Sequence, residues 1–198
     1  MNKLIIIGAS GHGKVVADIA RLNGYEDIVF LDDDETKKEC AGYPVVGKSY
    51  EAPDGDIFVA IGNNEIRKII CEKYSERNQP VLIHPCAVVA EGTKIGPGSV
   101  VMAGAVINPG TTIGCGCIIN TCCSVDHDCN VSDYVHVSVG AHLCGTVRIE
   151  GETCIGAGTT VINNVTICNK CITGAGSVVI KDITIPGTYV GVPSKKLV

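Results

Sequence analysis

From Ile83 onward, every sixth residue is large and aliphatic. The series runs Ile83, Val89, Ile95, Val101, Ile107 and on to Ile185, with Thr173 the one exception among eighteen positions. Four residues after each stands a smaller or aliphatic residue: Ala87, Thr93, Ser99, Ala105, Thr111, Cys117, Cys123, Cys129 and onward to Ile183. A period of six with one large and one small inward position specifies a triangular parallel β-helix in which each hexapeptide forms one side. Three sides make a coil of about 18 residues, so residues 83–185 give between five and six coils. At the usual strand spacing that prism is about 27 Å tall. The frame holds to Ile185, so no long loop is expected to leave the prism.

The first 80 residues follow a different grammar and hold 24 of the 37 Asp, Glu, Lys and Arg residues. Leu4-Ile5-Ile6-Ile7 reads as a strand buried on both faces. A glycine-rich turn follows, then a helix over 14–22 stopped by Gly24. Further strands are expected at 28–31 and 57–61, with a second helix over 65–74. Strand–helix–strand order implies a small parallel sheet of Rossmann type. The chain therefore divides into a Rossmann-like domain, 1–80, and a β-helix domain, 81–198.

Composition removes several functions. Trp is absent, aromatics make up 4%, and the formal charge is -5. That leaves neither stacking platforms nor a basic face for nucleic acid. The longest N-terminal apolar run, Leu4 to Ile7, is too short for a signal peptide or a membrane span, so a cytoplasmic protein is expected. The twelve cysteines are read as reduced thiols. Cys117, Cys123, Cys129 and Cys171 fall on the small inward position. Cys168-Asn-Lys-Cys171 and Cys115-Gly-Cys117 look like metal half-sites, but only one member of each faces inward, and no metal is expected.

Two motifs carry chemistry. Gly8-Ala-Ser-Gly11-His12-Gly13-Lys14, between a strand and a helix, lets backbone N–H groups approach a phosphate. Val15 stands where a P-loop needs Ser or Thr for magnesium, so NTP hydrolysis is disfavoured. Asp32 or Asp33, after the second strand, is placed for a ribose hydroxyl. The second motif, Asp126-His127-Asp128, sets a histidine between two carboxylates on the β-helix, which suits a general base. A bare glycine turn and a solvated surface histidine are the alternatives.

The glycine turn, Phe58-Val-Ala-Ile-Gly-Asn-Asn-Glu-Ile-Arg67, the Asp-His-Asp motif, His136-Val-Ser-Val-Gly-Ala141 and Gly191-Val-Pro-Ser-Lys195 together resemble the bacterial nucleotide-sugar N-acetyltransferases, relatives of the sialic-acid O-acetyltransferases. The likeness spans essentially the whole chain. It implies a left-handed β-helix, a homotrimer with active sites between neighbouring prisms, acetyl-CoA as donor and a UDP-linked 4-amino-4,6-dideoxy sugar as acceptor. By the same resemblance Gly11, His12, Gly13, Asp32, Asp33 and Gly62 contact the sugar nucleotide. The resemblance also makes His127 the base; the chemistry of acetyl transfer assigns Asp128 to orient it and a Gly145 backbone N–H to donate to the oxyanion. His136, Gly145, Ala157 and Ala175 line the acetyl-CoA groove. Either Asp126 or Asp128 is available to support His127, because both are Asp here where a member of the family has Glu. Rival readings are a sugar O-acetyltransferase and a non-catalytic nucleotide-sugar binder. A dehydrogenase is weaker, since no Tyr-x-x-x-Lys follows the turn.

Overall fold

Leu4 to Ile7 are all buried because their strand, β1 (Lys3–Ile7), is flanked on both edges and covered on both faces. The computed structural model describes residues 3–197. After β1 come α1 (Gly11–Leu22), β2 (Asp27–Leu31), β3 (Glu39–Cys40), β4 (Tyr43–Gly47), β5 (Asp56–Val59) and α2 (Asn64–Lys73). The sheet order is β3-β4-β2-β1-β5, parallel throughout except that β3 runs antiparallel to β4. Leu4, Ile6, Phe30 and Phe58 face α1, while Ile5, Ile7, Val29 and Leu31 face α2. This is the Rossmann-type arrangement expected, with two additions. β3 and β4 leave no sequence signal, since Tyr43-Pro-Val-Val-Gly alternates between half-buried and exposed and has no continuous apolar run.

The first helix also starts three residues earlier than its apolar spacing predicts, at Gly11 rather than Lys14. Ser10 occupies the cap position, and Lys14 N–H donates to its carbonyl. Gly13 therefore sits inside the first helical turn. Any Cβ there would collide with the carbonyl oxygen of Gly8, so its smallness lets helix and strand close together.

Seventeen two-residue strands, from Leu82–Ile83 to Val178–Val179, then build the parallel β-helix. Partners are 18 residues apart, as in Val106 opposite Ser124. The first face carries the pairs beginning at Leu82, Val100, Ile118, His136, Cys154 and Ile172, and the second those beginning at Val88, Val106, Ser124, His142, Thr160 and Val178. The third carries Lys94, Thr112, Asn130, Arg148 and Thr166. The large and small frame positions from Ser99 to Val179 are buried, as expected.

The small position does more than save volume. Ser99, Thr111, Thr153 and Thr159 each donate a hydroxyl to a turn carbonyl fifteen residues on. Cys117 and Cys129 do the same with their thiols, at 3.1 and 3.2 Å. A Cys here acts as a small hydrophobe with a weak donor, which serves a buried carbonyl that water cannot reach.

The frame fails in its last coil. Ile183, sixteen residues after Ile167, bridges to it, and Ile185 is 58% exposed. Two residues are missing from that coil, so Ile185 is not inward as its period predicts. The chain then closes the first face with Thr188–Val190 and a returning strand, Lys195–Lys196. Cys168 also departs from expectation: it packs against the same core as Cys171, with the sulfurs 3.4 Å apart.

The two parts share a core. Leu82, Val100 and Ile118, the outward residues of the first three strands on the first face, pack with α1 and are at most 1% exposed. Burying three such side chains stabilises the junction by roughly 1.5–3 kcal/mol each. Among the described residues, no helix is long and apolar enough to cross a membrane.

Candidate active site

The outward column of the first face continues above Ile118 with His136, Cys154 and Ile172. Exposure rises along it, from buried Ile118 through half-buried His136 and Cys154 to Ile172 at 50%. The α/β unit thus covers the lower coils and overhangs the upper ones. Beneath the overhang lies a cleft of about 310 Å³, walled by Gly62, Asn63, Asn64 and Glu65 at the start of α2 and by Glu152, Cys154, Lys170 and Ile172 of the prism.

The carboxyl ends of β1, β2 and β5 carry the residues expected to hold a sugar nucleotide. A Cβ on Gly11 or on Gly62 would meet nothing, so both glycines border open space. His12 is different: its Nε2 is buried without a hydrogen-bond partner among the described residues. Burial, with the nearby Arg67 guanidinium second, pushes its pKa down to about 4, which keeps the ring neutral. Asp32 and Asp33 are already engaged. Asp32 accepts from the N–H groups of Ala9 and Asp34 and from Lys37 Nζ at 2.8, 2.9 and 2.9 Å. Burial works against its ionisation, but those bonds outweigh it and hold the carboxyl below its ordinary range. Asp33 accepts from the backbone and hydroxyl of Ser49. Both acids tie down their own loops, Asp32 fixing the glycine turn against β2.

His127, Asp128 and Gly145 come together on the corner between the second and third faces. His127 Nδ1 lies 2.8 Å from Asp128 Oδ2. Asp126 does not touch the ring; its Oδ1 accepts from the His127 backbone N–H and from Asn108 Nδ2. One acid thus holds the loop and the other orients the imidazole. Asp128 takes the left-handed conformation, φ 58°, that turns its carboxylate back toward the ring. Its hydrogen bond is the main reason the His127 pKa is raised above its ordinary 6.5, and the charges of Asp126 and Asp128 add to it. Gly145 stands one coil above His127, and a Cβ there would lie 2.5 Å from Nε2. The ring occupies the space a side chain would take.

The expected acetyl-CoA set is divided. Gly145 shares the His127 corner, whereas Ala157 and Ala175 are stacked on the corner between the first and second faces. His136 is on the first face, opposite the His127 corner of the triangular section. Its Nε2 lies 3.0 Å from Asn120 Nδ2, and burial followed by the charges of Arg67 and His12 lowers its pKa to about 4. Within one chain, then, the cleft residues and His127 are on opposite sides of the prism.

Sequence reasoning missed Arg67, Asn120, Glu152, Cys154 and Lys170. Arg67 was visible only as the end of a motif. For the first-face residues, the signal was the outward column changing from Leu82, Val100 and Ile118 to His136 and Cys154.

Residues 3–74 match a family described as the PglD N-terminal domain. GDP-perosamine N-acetyltransferase of Escherichia coli O157:H7 is 30% identical over 177 residues, which is 83% of this chain and 80% of that protein. UDP-N-acetylbacillosamine N-acetyltransferase of Bacillus subtilis (strain 168) is 37% identical over 108 residues, half of each chain. The acetyltransferase domain of PglB from Neisseria gonorrhoeae FA1090, solved in complex with acetyl coenzyme A, is 45% identical, with a TM-score of 0.94 over 99% of each chain.

Proposed function

Because this chain belongs to the nucleotide-sugar N-acetyltransferases, we propose that it moves the acetyl group of acetyl-CoA to the 4-amino group of a UDP-linked 4-amino-4,6-dideoxy sugar, with His127 as general base. The amine nitrogen attacks the thioester carbonyl carbon. A C–N bond forms, His127 Nε2 takes the amine proton, and the C–S bond then breaks with the proton passing to the departing thiolate. Asp128 holds Nδ1–H and stabilises the imidazolium. The Gly145 backbone N–H donates to the oxyanion, worth about 3 kcal/mol in a well-formed site. The observation that carries this reading is the His127–Asp128 pair beneath a glycine, with Nε2 left free to face a substrate.

The sugar nucleotide lies in the cleft between the α/β unit and the first face, with its diphosphate near Gly11, His12 and Gly62 and its ribose near Asp32 and Asp33. Acetyl-CoA runs along the prism past His136, Gly145, Ala157 and Ala175. Since His127 is opposite that cleft in its own chain, the working site joins the cleft of one copy to His127 of a neighbouring copy in a homotrimer. Exposed Val88 and Val139, with the polar but uncharged Ser124 and Thr160, give the second face and its corner a surface suited to that contact. Sedimentation at micromolar concentration is expected to give a trimer; a fully active monomer would exclude an intersubunit site.

The reaction itself is tested by thiol release from acetyl-CoA across UDP-, dTDP- and GDP-linked amino sugars. The expected outcome is fastest release with a UDP-linked 4-amino sugar. Faster release with a GDP sugar would overturn the choice of nucleotide. Acetylation of a hydroxyl in preference to the amine would make the enzyme an O-acetyltransferase, and no release with any of them would overturn the reading.

A further inference from the structure

Arg67 is 1% exposed, and it is the largest fully buried side chain of the described residues. Its guanidinium makes five hydrogen bonds, none to a carboxylate. Nε donates to Gly116 O at 2.7 Å; Nη1 donates to Ile61 O and Gly62 O; Nη2 donates to Asn64 Oδ1 and Tyr134 O. Gly116 and Tyr134 are equivalent corner positions of successive coils. Gly62 and Asn64 belong to the wall of the cleft, and Ile61 directly precedes it. One side chain therefore ties the cleft wall to two coils of the prism.

Resting on the reading that this cleft takes a sugar nucleotide, we propose that Arg67 is a positioning residue for the anionic acceptor: it fixes the wall at Gly62–Asn64 from behind and places there a buried positive charge, bonded to no carboxylate, that favours the diphosphate.

A buried cation is ordinarily matched by an acid, because desolvation of an unpaired charge is costly. Here the titratable groups around the guanidinium are His12 of α1, Cys71 of α2, and Cys117, Tyr134, His136 and Cys154 of the prism. None supplies a negative charge at neutral pH. The carbonyls satisfy the donors but leave the charge, which also disfavours protonation of His12 and His136. A diphosphate arriving beside His12 and Gly62 would supply the missing counter-charge.

The test uses full-length Arg67→Met, Arg67→Lys and Asn64→Ala. Arg67→Met should cut kcat/KM for the sugar nucleotide by about 10- to 100-fold through KM, with the KM for acetyl-CoA unchanged. Arg67→Lys keeps the charge but not the five bonds and should recover part of the loss. Asn64→Ala removes one anchor without touching the charge and should give a smaller rise in the same KM, so the proposal stays testable if Arg67→Met does not fold. Imidazole NMR titration, a readout independent of turnover, should show the His12 and His136 pKa values rising from about 4 in Arg67→Met. Wild-type transfer with an unchanged sugar-nucleotide KM in all three variants would overturn the role of Arg67 alone. Wild-type failure on every sugar nucleotide would overturn the functional reading, while the NMR result would still report the electrostatics. Unmoved histidine pKa values would overturn the uncompensated charge.

Discussion

His127→Ala should leave a folded, ligand-binding protein whose kcat is lower by roughly 10²–10⁴, the usual range for losing a general base. Its side chain is 55% exposed and faces neither the prism core nor the α/β unit, so the change in stability should stay within about 0.5 kcal/mol. The wild-type pH profile follows from the raised pKa. His127 acts only when deprotonated, so kcat should climb with pH through a value above 6.5. Asp128→Asn removes the hydrogen bond that is the main cause of the shift. Its rising limb should therefore move to lower pH, while the plateau falls because the ring is no longer held. Stopped-flow thiol release between pH 5 and 9 measures both. If His127→Ala keeps more than half of the wild-type kcat at neutral pH, the proton acceptor is another group.

Gly145→Ala should be nearly as damaging, with little effect on folding. Gly145 has no unusual backbone requirement; what a methyl group would meet is the His127 ring, the movable end of an exposed side chain. The ring gives way rather than the backbone, so the melting temperature should hardly move. Displacing a catalytic group by about 1 Å costs on the order of 10² in rate. A double variant makes the cause visible. If the methyl acts through the imidazole, Gly145→Ala added to His127→Ala should cost no more than His127→Ala alone. Additive losses would show that the methyl also disturbs donor binding or the oxyanion contact of the Gly145 N–H, and wild-type activity in Gly145→Ala would show that the imidazole is not displaced.

The prism was legible in the sequence because its rule is local. Every hexapeptide must present one large and one small residue inward, so the period from Ile83 to Val179 dictates the coil without knowledge of anything distant. The rule failed at Ile185, because the six-residue spacing continues in the sequence through a closing coil that is shortened by two residues. β1 was legible because a strand covered on both faces needs a continuous apolar run. The outer strands β3 and β4, half-exposed along their length, have no such need and left no trace. The start of α1 was obscured because glycines at 11 and 13 read as a turn, whereas Gly13 is small to admit the carbonyl of Gly8.

The His127 motif and the glycine turn were likewise written in consecutive residues. Their partners were not. Which acid supports the imidazole depends on the left-handed turn at Asp128, and the place of Gly145 over the ring depends on coils stacking 18 residues apart. Arg67 has the least local role of all, since its carbonyl partners on the prism lie 49 and 67 residues away. Sequence alone determined the prism, the parallel sheet and the chemical groups on offer, because each follows from neighbours in the chain. Only the tertiary structure decided that the α/β unit overhangs the first face, making a cleft there and leaving His127 opposite it, because that arrangement rests on contacts between segments the chain keeps far apart.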